Sequence, residues 1–138
     1  MKYTLMCLIA TLFFTARADA LDGKTLAHVI SIPVIEGTGI YASVKMIRTG
    51  TTNNTAAAIT NLSLIGINAG MGAYTLFGKP TDYSKWRTTH RIVGFAASAA
   101  AIWLAISAGR DSDITRVDKG VAIGYSALTV VPVVLFSF

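Results

Sequence analysis

The chain contains two histidines, His28 and His90. Imidazole nitrogens bind zinc or haem iron, but a zinc site normally takes three or four protein ligands. Two imidazoles on facing helices can instead hold a flat macrocycle from both sides. Arg87 and Arg91 flank His90, and guanidinium groups pair well with carboxylates such as haem propionates. Gly94 follows His90 by one helical turn and would leave space for the ring.

A glutamate inside an apolar segment is the second candidate site. Glu36 lies well within the first apolar segment after the N-terminal region, between Pro33 and Gly37. A charge inside a bilayer costs several kcal/mol unless it is neutralised or paired, and such acids commonly belong to proton or cation pathways. The alternative is a protonated carboxyl group that is hydrogen-bonded across a helix interface to Asn61, Asn68 or a threonine. The sequence leaves both interpretations open.

These residues belong to a chain of apolar composition. Of its 138 residues, 53% are hydrophobic and 14% are charged, whereas ordinary soluble domains have about 25% charged residues. The net charge of +5 comes from basic residues in short clusters between apolar runs, a pattern typical of helices anchored at lipid headgroups. We therefore expect a protein that partners the lipid bilayer and does not bind nucleic acid.

The N-terminal residues 1–20 have the features of a secretory signal peptide. Lys2 precedes an apolar core, and an A-x-A cleavage site ends the segment. The one cysteine, Cys7, lies within it, so we expect neither disulfides nor thiolate metal sites in the mature chain. An uncleaved anchor helix is the alternative, and either one places Leu21 on the outer side. We predict a multi-pass protein of the bacterial inner membrane whose mature N- and C-termini are periplasmic.

The remaining residues, 21–138, contain four apolar segments. They predict membrane-spanning helices at about residues 26–46, 56–77, 86–107 and 117–138, each near the ~20 residues needed to cross a bilayer. Short polar connections favour an all-α, up-down-up-down, four-helix transmembrane bundle. An outer-membrane β-barrel would require alternating apolar and polar residues, and these alanine-rich segments do not alternate. The third connection, which contains aspartates and basic residues, is predicted to be a solvated turn that includes Asp111, Asp113 and Asp118.

Small residues recur at helical spacing along three of the segments. These stripes are Ser63, Gly66, Gly70 and Ala73; then Gly94, Ser98, Ala101, Ala105 and Ala108; and finally Gly120, Gly124 and Ala127. Stripes of this kind let helix backbones approach closely in lipid. We expect them to join helices of the bundle, or to dock other membrane subunits or a second copy of the chain.

In such a bundle the first and third helices are diagonal partners, and His28 and His90 fall at similar depths near the outer face. A histidine followed by arginine, with a glycine four residues after the histidine, resembles the haem-ligand helices of membrane b-type cytochromes. Here these residues are His90, Arg91 and Gly94. The resemblance implies non-covalent haem b with His28 and His90 as axial ligands. Those cytochromes often use four histidines for two haems, whereas this chain could ligate one.

The sequence thus leaves several functions open. One is electron transfer through a single haem b near the outer face, with Arg87 and Arg91 at the propionates. A second is a cofactor-free accessory or assembly subunit, in which the histidines are interface residues whose polar tips reach water. A third is a small channel or transporter that uses Glu36. The sequence contains no phosphate-binding glycine loop, paired-carboxylate motif or nucleophile elbow, so we expect no independent catalytic activity.

Overall fold

The computed structural model describes residues 23–49, 51–78 and 81–136, without the side chains of residues 24–29, 76 and 132–136. The described chain consists of four α-helices and contains no strand: α1 Gly23–Thr49, α2 Thr52–Phe77, α3 Tyr83–Arg110 and α4 Arg116–Phe136. The all-α prediction is confirmed. The predicted signal peptide, residues 1–20, lies outside the described residues.

The chain divides into two compact units, Met1–Pro33 and Val34–Phe138. The described part of the first unit is the beginning of α1, which contains Pro33. The second unit holds the rest of α1 together with α2, α3 and α4, and every contact described below lies within it.

N-terminal caps extend α2 and α3 beyond the starts that their apolar segments predict. Apolarity alone places the starts near residues 56 and 86, whereas α2 begins at Thr52 and α3 at Tyr83. The side chain of Thr51 accepts a hydrogen bond from the backbone N–H of Asn54 at 3.4 Å, and Asp82 accepts one from Lys85 at 2.9 Å. These N-caps satisfy backbone donors of the first turn, so the helices extend into polar sequence.

The four helices run antiparallel to their neighbours. Between α1 and α2, Ser43 contacts Asn61 and Glu36 contacts Asn68. The residue that comes seven positions earlier in α1 thus contacts the residue that comes seven positions later in α2. The other neighbouring helices show the same opposed order of contacts. The contacts are Asn53–Ser107 and Thr75–Trp86 between α2 and α3, Ser98–Thr129 and Gly109–Lys119 between α3 and α4, and Gly39–Tyr125 and Tyr41–Asp118 between α1 and α4. This arrangement fits a four-helix bundle in which α1 and α3 are diagonal.

Small and polar side chains fill the interior, and large apolar side chains face outward. The core consists mainly of alanines around Met46, Leu104 and Tyr125, together with buried serine and asparagine. Most isoleucines and several aromatic residues are exposed, for example Ile59, Ile92, Phe95, Ile102 and Ile123. Soluble domains bury such residues, whereas membrane helices pack through small and polar residues and present large apolar ones to lipid.

Two of the described helices are long and apolar enough to cross a membrane, α2 over Thr52–Thr75 and α3 over Tyr83–Arg110. Of their apolar stretches, 22% and 39% are buried inside the protein, so neither resembles the mostly buried central helix of a soluble domain. That α1 and α4 also span the membrane remains a prediction.

The three stripes of small residues face different surroundings. The α3 stripe is internal, because Ser98, Ala101, Ala105 and Ala108 are buried. The α2 and α4 stripes are external, because Gly66 and Gly70 on α2 and Gly120 and Gly124 on α4 are exposed. A methyl group added at any of these four glycines would meet no described atom within 4 Å. Packing within the bundle therefore explains one stripe of the three.

Candidate functional site

Three asparagines on α2 face the interior of the bundle. Asn54, Asn61 and Asn68 are spaced by seven residues, which is close to two helical turns and places them on one face. Each side-chain amide donates a hydrogen bond to a residue outside α2, and the acceptors are Asp111 at the C-cap of α3 and Ser43 and Glu36 on α1. We call this set and its partners the asparagine column.

The middle of the column is closed to solvent. Asn61 donates from Nδ2 to the hydroxyl oxygen of Ser43 at 2.9 Å, and its Oδ1 accepts from the hydroxyl of Tyr125 at 3.1 Å. Ser43 and Asn61 are 0% exposed and Tyr125 is 1% exposed. These three residues come from α1, α2 and α4, so this middle layer joins three helices. Buried polar groups satisfied in this way make the packing of the helices specific.

A glycine on α1 makes room for the Tyr125 ring. A Cβ at Gly39 would stand 2.7 Å from the phenol oxygen of Tyr125 and closer still to the ring carbons. Real side chains do not approach so closely, so Gly39 is required for the ring to lie against the α1 backbone. By contrast, a Cβ at Gly37 would meet nothing within 4 Å in the described chain.

Glu36 lies on the side of the middle layer that faces the α2–α3 connection. It is half-buried on α1, and Asn68 donates from Nδ2 to its Oε1 at 3.4 Å. The sequence predicted Asn61, Asn68 or a threonine as the partner of this carboxyl group, and in the structure Asn68 donates to it. Because Glu36 and Ser43 are seven residues apart, the two layers lie ~10 Å apart along α1.

On the opposite side of the middle layer, an aspartate links α4 to α1. Asp118 is 6% exposed, and its Oδ1 accepts from the Tyr41 hydroxyl at 3.4 Å and lies 3.9 Å from Lys45 Nζ. The Thr115 hydroxyl donates to Oδ2 at 2.8 Å and accepts from the Asp118 N–H at 3.1 Å. The predicted solvated turn is therefore wrong for Asp118, which lies in the first turn of α4 and is buried against α1.

The other aspartates of that turn differ from one another. Asp111 is half-buried and accepts a hydrogen bond from Asn54 on α2. Asp113 is exposed, as predicted, and its backbone N–H donates to Asp111 at 2.9 Å. Asp111 thus ends α3 as its C-cap and also ties α3 to the start of α2.

His90 lies on α3 and faces α2. It is half-buried, and its Cε1 and Nε2 atoms stand 3.9 Å from the place where a Cβ of Gly72 would be. Arg87 is exposed and Arg91 is half-buried, one helical turn apart on the same helix. The carbonyl of Gly94 accepts a hydrogen bond from Ser98 at 3.1 Å.

The predicted partner of His90 falls in a different part of the chain. His28 lies in α1, within the first unit, and its side chain is outside the described residues. The structure therefore does not test whether the two imidazoles can face one another. Haem b ligation by His28 and His90, with Arg87, Arg91 and Gly94 around the ring, stays a prediction from sequence.

An aromatic pair lies where α2 ends and α3 begins. Trp86 and Tyr74 are in edge-to-face contact with ring centroids 4.8 Å apart, and the Trp86 indole N–H donates to the Thr75 hydroxyl at 2.7 Å. An open cleft of about 420 Å³ beside them is also lined by Asp82 and Lys85. Aromatic rings with a polar edge favour the boundary between lipid and water.

The sequence pattern did not identify several residues of the asparagine column and its surroundings. These are Ser43, Asn54 and Asp111 of the column, Tyr125 of the middle layer, and Asp118, which was predicted to lie in a solvated turn. A signal was present, since Glu36 and Ser43, the three asparagines, and Asp118 and Tyr125 all follow seven-residue spacing. Spacing of that kind shows which residues share a helix face, but it does not show which face meets which helix.

Comparison with known proteins adds no relative, because no protein-family model, no curated protein and no solved structure matches this chain.

Proposed function

We propose that this chain is a small multi-pass protein of the bacterial inner membrane that carries protons across the bilayer, with Glu36 as the group that takes up and releases the proton. The single observation that carries the proposal is that the ionisable side chain of Glu36 is half-buried on α1. This side chain lies inside a bundle whose outer surface is rich in large apolar side chains. An ionisable side chain held inside such a bundle is costly, and transport proteins are where such groups recur.

Glu36 stands at the centre of α1, with about as much helix before it as after it. If α1 crosses the bilayer together with α2 and α3, the carboxyl group lies near the bilayer midplane. A group there can be reached from either side by a small rearrangement, which is the position that transporter sites commonly occupy.

The surroundings of Glu36 favour a proton over a metal cation. Asn68 presents an amide N–H to the carboxylate, and an N–H cannot ligate a cation. Hard cations in proteins require about six or more oxygen ligands. The described neighbourhood offers Glu36 no second carboxylate at hydrogen-bond distance, so a carboxyl group that gains and loses one proton is the simplest fit.

The test is proton flux into vesicles that contain the purified protein and a trapped pH-sensitive dye. We expect an imposed pH gradient to collapse faster than in empty vesicles, and Glu36→Gln to abolish the difference. The matched control is Asp113→Asn, which also neutralises one carboxylate but in an exposed connection. The proposal fails if the wild-type protein carries no more protons than empty vesicles, or if Glu36→Gln leaves the flux unchanged.

A haem b electron-transfer subunit is the second candidate. The observation in its favour is that the His90 ring is half-buried and faces α2 beside Gly72, so the imidazole lies at the contact between α2 and α3. The other ligand would be His28, and the protein would serve within a larger membrane complex.

A further inference from the structure

Polar groups occur at three levels of the bundle, and their exposure differs between levels. Glu36 and Asn68 at one level are half-buried. At another level, Lys45 has 38% of its side chain exposed beside the buried Asp118. Between them lies the middle layer of Ser43, Asn61 and Tyr125, which is closed to solvent. Two levels with partly exposed side chains are thus separated by one whose side chains are fully buried.

Hydrogen bonds join the middle layer into a directed chain. Tyr125 donates to Asn61, and Asn61 donates to Ser43. The central member is a side-chain amide, which neither gains nor loses a proton at physiological pH. The chain therefore holds three helices together and does not itself relay protons.

The Tyr125 ring fills the space between α4, α1 and α2 in the middle layer. It lies against the α1 backbone at Gly39 while its hydroxyl reaches Asn61 on α2, so the side chain crosses the interior from α4. Opening this layer would require the Tyr125 ring to leave the α1 backbone through a shift of α4 relative to α1. Packed helix interfaces can switch between two discrete arrangements in this way.

We infer that the layer of Ser43, Asn61 and Tyr125 is the gate that separates Glu36 from the end of the bundle that holds Asp118 and Lys45. The inference rests on the proposed proton transport. With the gate closed, Glu36 exchanges protons with the outer side alone. With the gate open, it reaches the inner side, where Asp118 and Lys45 line the exit.

The first test is thiol accessibility in a Cys7→Ala background, with a membrane-impermeant maleimide applied from either side. We expect Asn68→Cys to react from the outer side, Lys45→Cys to react from the inner side, and Ser43→Cys to react from neither. Serine and cysteine are close in size, so Ser43→Cys disturbs the layer little. The inference is overturned if Ser43→Cys reacts as fast as Lys45→Cys, or if the two end positions do not react from opposite sides.

The second test measures proton leak in the same vesicles. Tyr125→Phe keeps the ring and removes the hydroxyl that holds it to Asn61, so we expect about a fivefold faster leak, the factor that one hydrogen bond of average net strength gives. Tyr83→Phe is the matched control, because Tyr83 is exposed at the start of α3. Equal leak in the two variants contradicts the gate.

The failure of the gate and the failure of proton transport have different signatures. If the gate is wrong and transport is right, Glu36→Gln still abolishes flux while Tyr125→Phe behaves like Tyr83→Phe. If transport through Glu36 is wrong, Glu36→Gln leaves flux unchanged, whatever the accessibility of the three cysteine positions.

Discussion

At the scale of single residues, two glycines that are two residues apart on α1 have different roles. The Tyr125 ring lies directly against Gly39, whereas Gly37 is exposed and a side chain there would meet open space. Glycine in a helix interior is unfavourable relative to alanine, so its presence at Gly39 reflects packing. The packing of α1 close to Glu36 thus depends on the Tyr125 ring of the middle layer.

The pair provides a matched stability test. Gly39→Ala should destabilise the protein by about 1–3 kcal/mol, because the added methyl group pushes the Tyr125 ring out of place. Gly37→Ala should stabilise it by about 0.5–1 kcal/mol through helix propensity. Unfolding in detergent with increasing denaturant measures both. Equal effects of the two substitutions would show that the close approach of the ring to α1 is wrong.

Substitutions of single residues also test the second candidate function, haem b binding. If it is correct, the protein purified after expression with a haem supply shows a reduced b-type α-band, and His90→Ala or His28→Ala abolishes it because an axial ligand is lost. Thr89→Ala is the control, since Thr89 is exposed next to His90. Absorption spectra of the oxidised and reduced protein make the measurement. A featureless spectrum at good protein yield eliminates haem.

At the scale of helices, the small-residue stripes divide into an internal one and two external ones. Ser98 on α3 is buried and donates to the Thr129 carbonyl on α4 at 3.2 Å, so it lies in the α3–α4 contact. Gly66 and Gly70 on α2 face away from the described bundle. Docking of another subunit or a second copy through the external stripes stays a prediction.

Leucine substitutions separate these roles. Ser98→Leu should destabilise the bundle by about 1–3 kcal/mol, because a larger side chain is forced between α3 and α4. Gly70→Leu should leave the stability of the purified chain unchanged or higher, since the new side chain has space. Thermal unfolding in detergent makes the comparison. Substantial destabilisation by Gly70→Leu would mean that the stripe contacts another part of the protein.

At the scale of the whole molecule, the distribution of side chains is the reverse of that in a soluble bundle. Large apolar residues such as Ile92 and Phe95 are exposed, while alanine, serine and asparagine fill the interior. An apolar exterior of this extent requires lipid or partner helices to cover it. The described α2 and α3 satisfy the length and composition needed for a crossing.

The predicted topology places the two ends of α3 on opposite sides of the membrane. In a Cys7→Ala background, we expect Thr81→Cys to be labelled by an impermeant thiol reagent in spheroplasts. Ser112→Cys should be labelled only after permeabilisation, because the α3–α4 connection is cytoplasmic in this topology. Both positions are exposed, so burial does not limit the reaction. Labelling of both positions from one side would contradict a single crossing by α3.

The sequence alone determined the number and the approximate limits of the helices. Apolar runs of membrane-spanning length separated by short polar connections are local properties, and they predicted four helices over the described chain. Glu36 and Asn68 were also recognised from sequence as a possible pair, because a carboxyl group inside an apolar helix needs a partner. The exact starts were missed where Thr51 and Asp82 cap the helices beyond the apolar runs.

The tertiary structure decided which face of each helix points inward. These helices are apolar nearly all round, so their sequences carry little asymmetry that distinguishes a face toward lipid from a face toward another helix. Three-dimensional packing placed Gly66 and Gly70 outside, brought Tyr125 across to Asn61, and buried Asp118 against α1. Each of these contacts joins residues that are far apart in the chain, and local sequence pattern contains no information about such pairs.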